Sequence, residues 1–108
     1  MEKRERRLAE NEARFRAVNE RVERRGLEAG GGEDLIEFVC ECGDEDCTES
    51  LRLTVGEYEW LRSEPERFAV VPGHEKEMEG EVVRDERRFR AVDKTGRAAE
   101  IARATDPR

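Results

Sequence analysis

The chain has 108 residues, 45% of them charged and 35% hydrophobic, and a formal net charge of −7 at neutral pH. That length holds one compact domain with a helical extension and no second independent core, and so little apolar surface calls for a staple beyond hydrophobic burial. The acidic balance disfavours phosphate-polymer binding by the body of the chain, and without a run near the ~20 apolar residues of a bilayer span the chain reads as cytoplasmic, with no membrane partner.

Residues 1–29 read as an amphipathic helix. Leu8, Phe15, Val18 and Val22 fall three, four or seven apart, and neither Pro nor Gly interrupts before Gly26. The stripe is narrow, and it also fits a short heptad seam with Leu8, Phe15 and Val22 at a and Asn11 and Val18 at d. It packs either on the chain's own domain or on a protein partner or second copy, so Leu8, Phe15, Val18 and Val22 are partner-binding candidates. Charge is divided along the chain: residues 1–25 carry nine Lys/Arg against six Glu, and the remainder twelve against twenty-two acids. The basic helix is therefore the place for any nucleic-acid contact, with the Arg84–Lys94 run as a lesser one. Gly30-Gly31-Gly32 marks a flexible joint over residues 30–34.

Residues 35–108 read as a zinc-binding α+β domain. Ile36, Phe38 and Cys40 alternate with Glu37, Val39 and Glu41, as in a half-buried strand, and Leu51, Leu53 and Val55 continue as an antiparallel partner across the cysteine loop. Thr54-Val-Gly-Glu57 has the form of a capping box opening a helix of about two turns that stops at Pro65. Trp60 lies off the face of Tyr58 and Leu61; it is either packed on a neighbouring strand or a partner-binding residue. Phe68 to Val71 forms a short strand, Pro72-Gly73 turns the chain, Glu81 to Asp93 holds two strands about Asp85-Glu86, and Thr95-Gly96 precedes a last helix.

All three cysteines sit in one eight-residue stretch, Cys40-Glu-Cys42-Gly-Asp-Glu-Asp-Cys47, and the chain's one histidine is His74. Three thiolates and an imidazole suit a tetrahedral zinc site on Cys40, Cys42, Cys47 and His74. Gly43 lets the loop turn so that backbone N–H groups point at sulfur. A variant has Glu75, Asp44 or Asp46 as the fourth ligand and His74 capping a turn. The odd cysteine count, the close spacing and the lack of an N-terminal apolar run argue against a secreted disulfide framework. Four ligands make a closed structural site, and an open one with Glu41, Asp44 or Glu45 as a base is the alternative. Oxidation of the thiolates with loss of metal is a further one.

Phe38-Val-Cys40-Glu-Cys42, Asp46-Cys47-Thr-Glu49, Glu57-Tyr58-Glu59, Arg67-Phe68, Val71-Pro-Gly-His74, Asp106-Pro107-Arg108 and the helical Asn11–Arg21 segment together resemble a group of small bacterial proteins of unknown function that share a Cys-x-Cys-x4-Cys … Pro-Gly-His pattern. The resemblance implies that helix and zinc body form one unit, and it brings no activity. The reading is a small zinc-binding protein with a structural site, regulatory or adaptor in role and acting through protein–protein contacts. The alternatives are a zinc-dependent enzyme, a nucleic-acid binder through the basic helix, and a thiol redox sensor.

Overall fold

A computed structural model describes residues 3–30 and 32–108 and begins with the helix α1 (Lys3–Glu28). Met1 and Glu2 of the expected helix, and Gly31 of the expected joint, lie outside the described residues. After α1 come β1 (Ile36–Val39), β2 (Ser50–Leu53), α2 (Val55–Leu61), β3 (Arg67–Val70), a 3-10 turn (His74–Glu77), β4 (Gly80–Asp85), β5 (Arg90–Lys94) and α3 (Gly96–Ala104). This is an α+β fold with two antiparallel sheets among the described residues: the β1–β2 hairpin, with Ile36 opposite Leu53, and a three-stranded sheet ordered β3-β5-β4. No described helix is long and apolar enough to cross a membrane.

The second strand is one step shorter than its alternation suggests. Thr54 Oγ1 accepts the Glu57 N–H at 3.1 Å while the Thr54 N–H donates to the Glu57 carboxylate at 2.9 Å, closing the capping box. Val55 is therefore the first residue of α2, not the last of a strand. Two local hydrogen bonds at a helix start outweigh one more step of a period-two pattern.

Successive side chains of a strand point to opposite faces, and both faces of β3 and β5 are covered. Ala69 and Ala91 join Phe38, Leu51, Leu53, Tyr58, Leu61 and Phe89 in one core. Phe68, Val70 and Val92 join Cys40, Cys42, Met78 and Ala102 in the other. Phe38 and Tyr58 stack with centroids 4.7 Å apart at the centre of the first. The second is built around the cysteines.

Helix α1 lies against this body, through a face different from the one its apolar spacing marks. Its buried residues are Ala9, Asn11, Glu12, Arg16, Asn19 and Glu23. Leu8, Phe15, Val18 and Val22 are half-buried along one flank, Val22 against the first core. Glu12, Arg16, Asn19 and Glu23 keep the three-and-four spacing of a packing seam, shifted about one residue from the apolar stripe, and each meets a polar group. Glu12 pairs with Lys94, and Glu23 accepts from Arg108 at 3.1 Å. The Arg16 guanidinium donates to the carbonyls of Pro65 and Ala102 and lies 4.4 Å over the Phe68 ring. The Asn19 amide donates to the Val39 carbonyl at 2.9 Å and accepts the Val39 N–H at 2.8 Å. Buried backbone groups must find partners, and the inner face of α1 supplies them. Residues 30–34 divide helix from body in sequence while these bonds join the two in space. Trp60 is half-buried, with the guanidinium groups of Arg67 and Arg84 at 4.3 and 4.8 Å from its ring.

Candidate metal centre

Antiparallel pairing of β1 and β2 closes the cysteine loop and holds Cys40, Cys42 and Cys47 on one short span. A tight turn in which the His74 N–H reaches the Val71 carbonyl at 2.9 Å brings the histidine to them. Gly73 makes that turn with φ 99°, a left-handed conformation that costs a residue with a Cβ strain. The ligand atoms of Cys40, Cys42, Cys47 and His74 all lie within 4.8 Å of one another.

The spacing fits a metal. His74 Nδ1 is 3.6 Å from Cys40 Sγ and 3.5 Å from Cys47 Sγ. The N···S edge of a tetrahedron with a zinc–sulfur bond of about 2.3 Å and a zinc–nitrogen bond of about 2.0 Å is about 3.5 Å. The other ring nitrogen, Nε2, lies 2.6 Å from the Glu49 carboxylate. A proton held on Nε2 by that carboxylate leaves the Nδ1 lone pair facing the sulfurs, the tautomer a metal requires.

Backbone donors surround the thiols. The Val71 N–H points at Cys40 Sγ from 3.2 Å, and the backbone N–H groups of Asp44 and Glu49 act on Cys42 and Cys47. The Cys40 thiol, the Asp44 N–H and the neighbouring His74 and Cys47 pull Cys42 down to about 5. The hydrogen bond to Cys42 and burial push Cys40 up, and burial with the Cys42 charge raises Cys47. On protein groups alone the cluster thus favours one thiolate over three. A cation among the sulfurs offsets the burial and the Cys42 charge that keep the other two protonated.

Of the carboxylates weighed as a fourth ligand, Glu75 and Asp44 are engaged elsewhere, and Asp46 is exposed and outside the group formed by the three cysteines and His74. Glu75 accepts the Gly73 N–H at 2.8 Å and Arg90 at 2.8 Å, and Asp44 accepts the Asp46 N–H at 2.9 Å within its own turn. Glu41, considered as a base for an open site, is buried at 2% exposure. Its carboxylate accepts the Ala69 N–H at 2.9 Å and the Asn19 amide at 2.8 Å, and its own N–H donates to the Ala69 carbonyl. Burial raises its carboxyl above the ordinary range, against these hydrogen bonds. Cys-x-Cys in extended chain sends the middle residue to the opposite side, and that alternation was the available signal for an inward-facing Glu41.

Helix α1 is fitted to the loop at Gly43. The Asn11 amide donates to the Gly43 carbonyl at 2.9 Å. With φ 83°, a Cβ there would lie 2.8 Å from both Leu8 and Glu12 side chains and 2.9 Å from the Leu8 carbonyl oxygen. Beside this contact an open cleft of about 540 Å³ runs between the start of α1, the cysteine loop and the 3-10 turn, with Cys42 and His74 in its wall. Of the partner-binding candidates, Leu8 lies at this cleft, Val22 at the first core and Trp60 between two arginines.

No family model matches the chain, and neither the curated proteins nor the solved structures give a significant match.

Proposed function

We propose that Cys40, Cys42, Cys47 and His74 hold one zinc ion in a closed structural site, and that the chain is a small cytoplasmic binding protein, regulatory or adaptor in role, akin to the bacterial group its motifs resemble. The observation that carries this is the approach of His74 Nδ1 to two cysteine sulfurs at 3.5 and 3.6 Å, with Nε2 turned to Glu49. Three thiolates and an imidazole favour zinc over hard cations. Bound there, the ion supplies positive charge and a cross-link between the cysteine loop and the turn after β3.

A closed shell argues for structure over catalysis. Zinc catalysis uses an open position and a nearby base, whereas four protein ligands are at hand and Glu41 is occupied by Ala69 and Asn19. The working surface of such a protein is its exterior.

Native mass spectrometry with elemental analysis, on the wild type and on Cys42→Ser and His74→Ala, tests the reading together with melting in a chelator. One zinc per chain, weakened in both variants and coupled to unfolding, is the expected result. A wild-type chain without metal refutes the site, and a His74→Ala chain with full metal and stability refutes its closed form.

A further inference from the structure

Folding sorts the charges of α1. Glu12, Glu20 and Glu23 turn toward the body, where Lys94, Arg62 and Arg108 pair with them. The described residues of α1 that remain exposed include eight Lys or Arg and three Glu. Arg7, Arg14 and Arg21 recur every seven residues, about two turns or 10.5 Å apart, and Arg25 extends the ridge to about 27 Å with Arg24 beside it. Among the described residues none of these five makes an ion pair. The other basic run of the chain differs. Arg84, Arg88, Arg90 and Lys94 are matched to carboxylates, of Glu57, Glu75, Asp85, Glu86 or Glu12, which leaves Arg87 as its one exposed cation without an ion pair among the described residues.

We infer that the outer face of α1 is a docking surface for the phosphate backbone of double-helical nucleic acid, bound without reading its sequence. The inference rests on the binding-protein reading above and names the partner. A straight line of unpaired guanidiniums is complementary to a linear polyanion, and guanidinium takes phosphate oxygens two at a time. At 3.4 Å per nucleotide the ridge spans roughly eight base pairs. A membrane surface fits less well, because the ridge has no apolar residue to enter it: Leu8, Phe15, Val18 and Val22 are half-buried on another flank, and the exposed Leu27 stands off the ridge by helical spacing. Single strands fit less well because the one aromatic residue of α1, Phe15, is on that same flank and offers no exposed stacking platform. The acidic body lies behind the helix, and at physiological salt a Debye length of about 8 Å limits its opposition at the ridge.

The test is fluorescence anisotropy of a labelled duplex of about 30 base pairs of arbitrary sequence, titrated with the full chain at about 50 and about 200 mM salt. Four to five phosphate contacts give a slope of log K on log salt near −4, so binding weakens roughly 10²-fold between the two. Replacing Arg7, Arg14 and Arg21 together by Gln, at exposed positions without ion pairs, is expected to reduce the slope by about 2.7 and leave metal content and melting unchanged. Three results overturn the inference: no duplex binding at the lower salt by a folded chain, a triple variant that binds like the wild type, or equally tight binding to poly-glutamate or to vesicles of anionic lipid. Metal content is read separately. A metal-loaded chain that ignores the duplex refutes only the ridge, and a metal-free chain that binds it refutes only the zinc site.

Discussion

The two faces of the β3-β5-β4 sheet are stabilised by different means. One carries a core of Phe38, Leu51, Leu53, Tyr58, Leu61 and Phe89, which needs only to be kept from water. The other is built around Cys40 and Cys42 with Phe68, Val70, Val92 and Met78, and the cysteines bring polar sulfur that an apolar core cannot satisfy. A chain with 35% hydrophobic residues can build one ordinary core; its second is organised around the four candidate ligands. Cohesion on the first face is spread over many contacts, and on the second it is concentrated at a point.

That contrast can be broken from either side. The largest effect is expected from chelation or from Cys42→Ser. If metal binding supplies folding free energy on the order of 10 kcal/mol, as in small zinc domains, the chain loses cooperative unfolding altogether, seen as loss of the near-ultraviolet dichroism of Trp60 and Tyr58. Phe38→Ala attacks the other face and is expected to cost about 3–5 kcal/mol in denaturant unfolding while the folded fraction keeps its metal. Parallel loss of metal and fold in both variants would show that the faces are one cooperative unit. Asn19→Leu keeps the size of the side chain but strips partners from the Val39 N–H and carbonyl and from Glu41, and should cost about 2–4 kcal/mol with metal still bound. Glu49→Gln is the mildest. It leaves the ligands and loosens the hold on His74 Nε2, lowering metal affinity by about 10- to 100-fold in a competition with a chromogenic chelator.

Features written in side-chain type or in strong local rules were legible in the sequence. The hairpin follows from alternation at Ile36 and Phe38 and again at Leu51 and Leu53, the start of α2 from Thr54 and Glu57, and the gathering of Cys40, Cys42, Cys47 and His74 from the rarity of those residue types. The inner face of α1 was not legible. A search for apolar periodicity finds Leu8, Phe15, Val18 and Val22, while the residues most deeply buried are Arg16, Asn19, Glu12 and Asn11. Their burial is decided by which backbone groups of distant segments lack partners, among them the Val39 N–H and the carbonyls of Pro65 and Ala102. No local pattern encodes that. The inward turn of Glu41, offered as a base for an open site, was hidden for the same reason, since its partners Ala69 and Asn19 are 28 and 22 residues away.

The paired hydrogen bonds between Asn19 and Val39 have a consequence for the solubility of the protein. β1 has β2 along one edge, and along the other the Asn19 amide occupies the donor and acceptor that a further strand would use. An open strand edge is a template for pairing with another chain. Helix α1 therefore works as a guard rail on the hairpin, and a shortened chain that begins after Gly32 would expose a strand ready to recruit copies of itself.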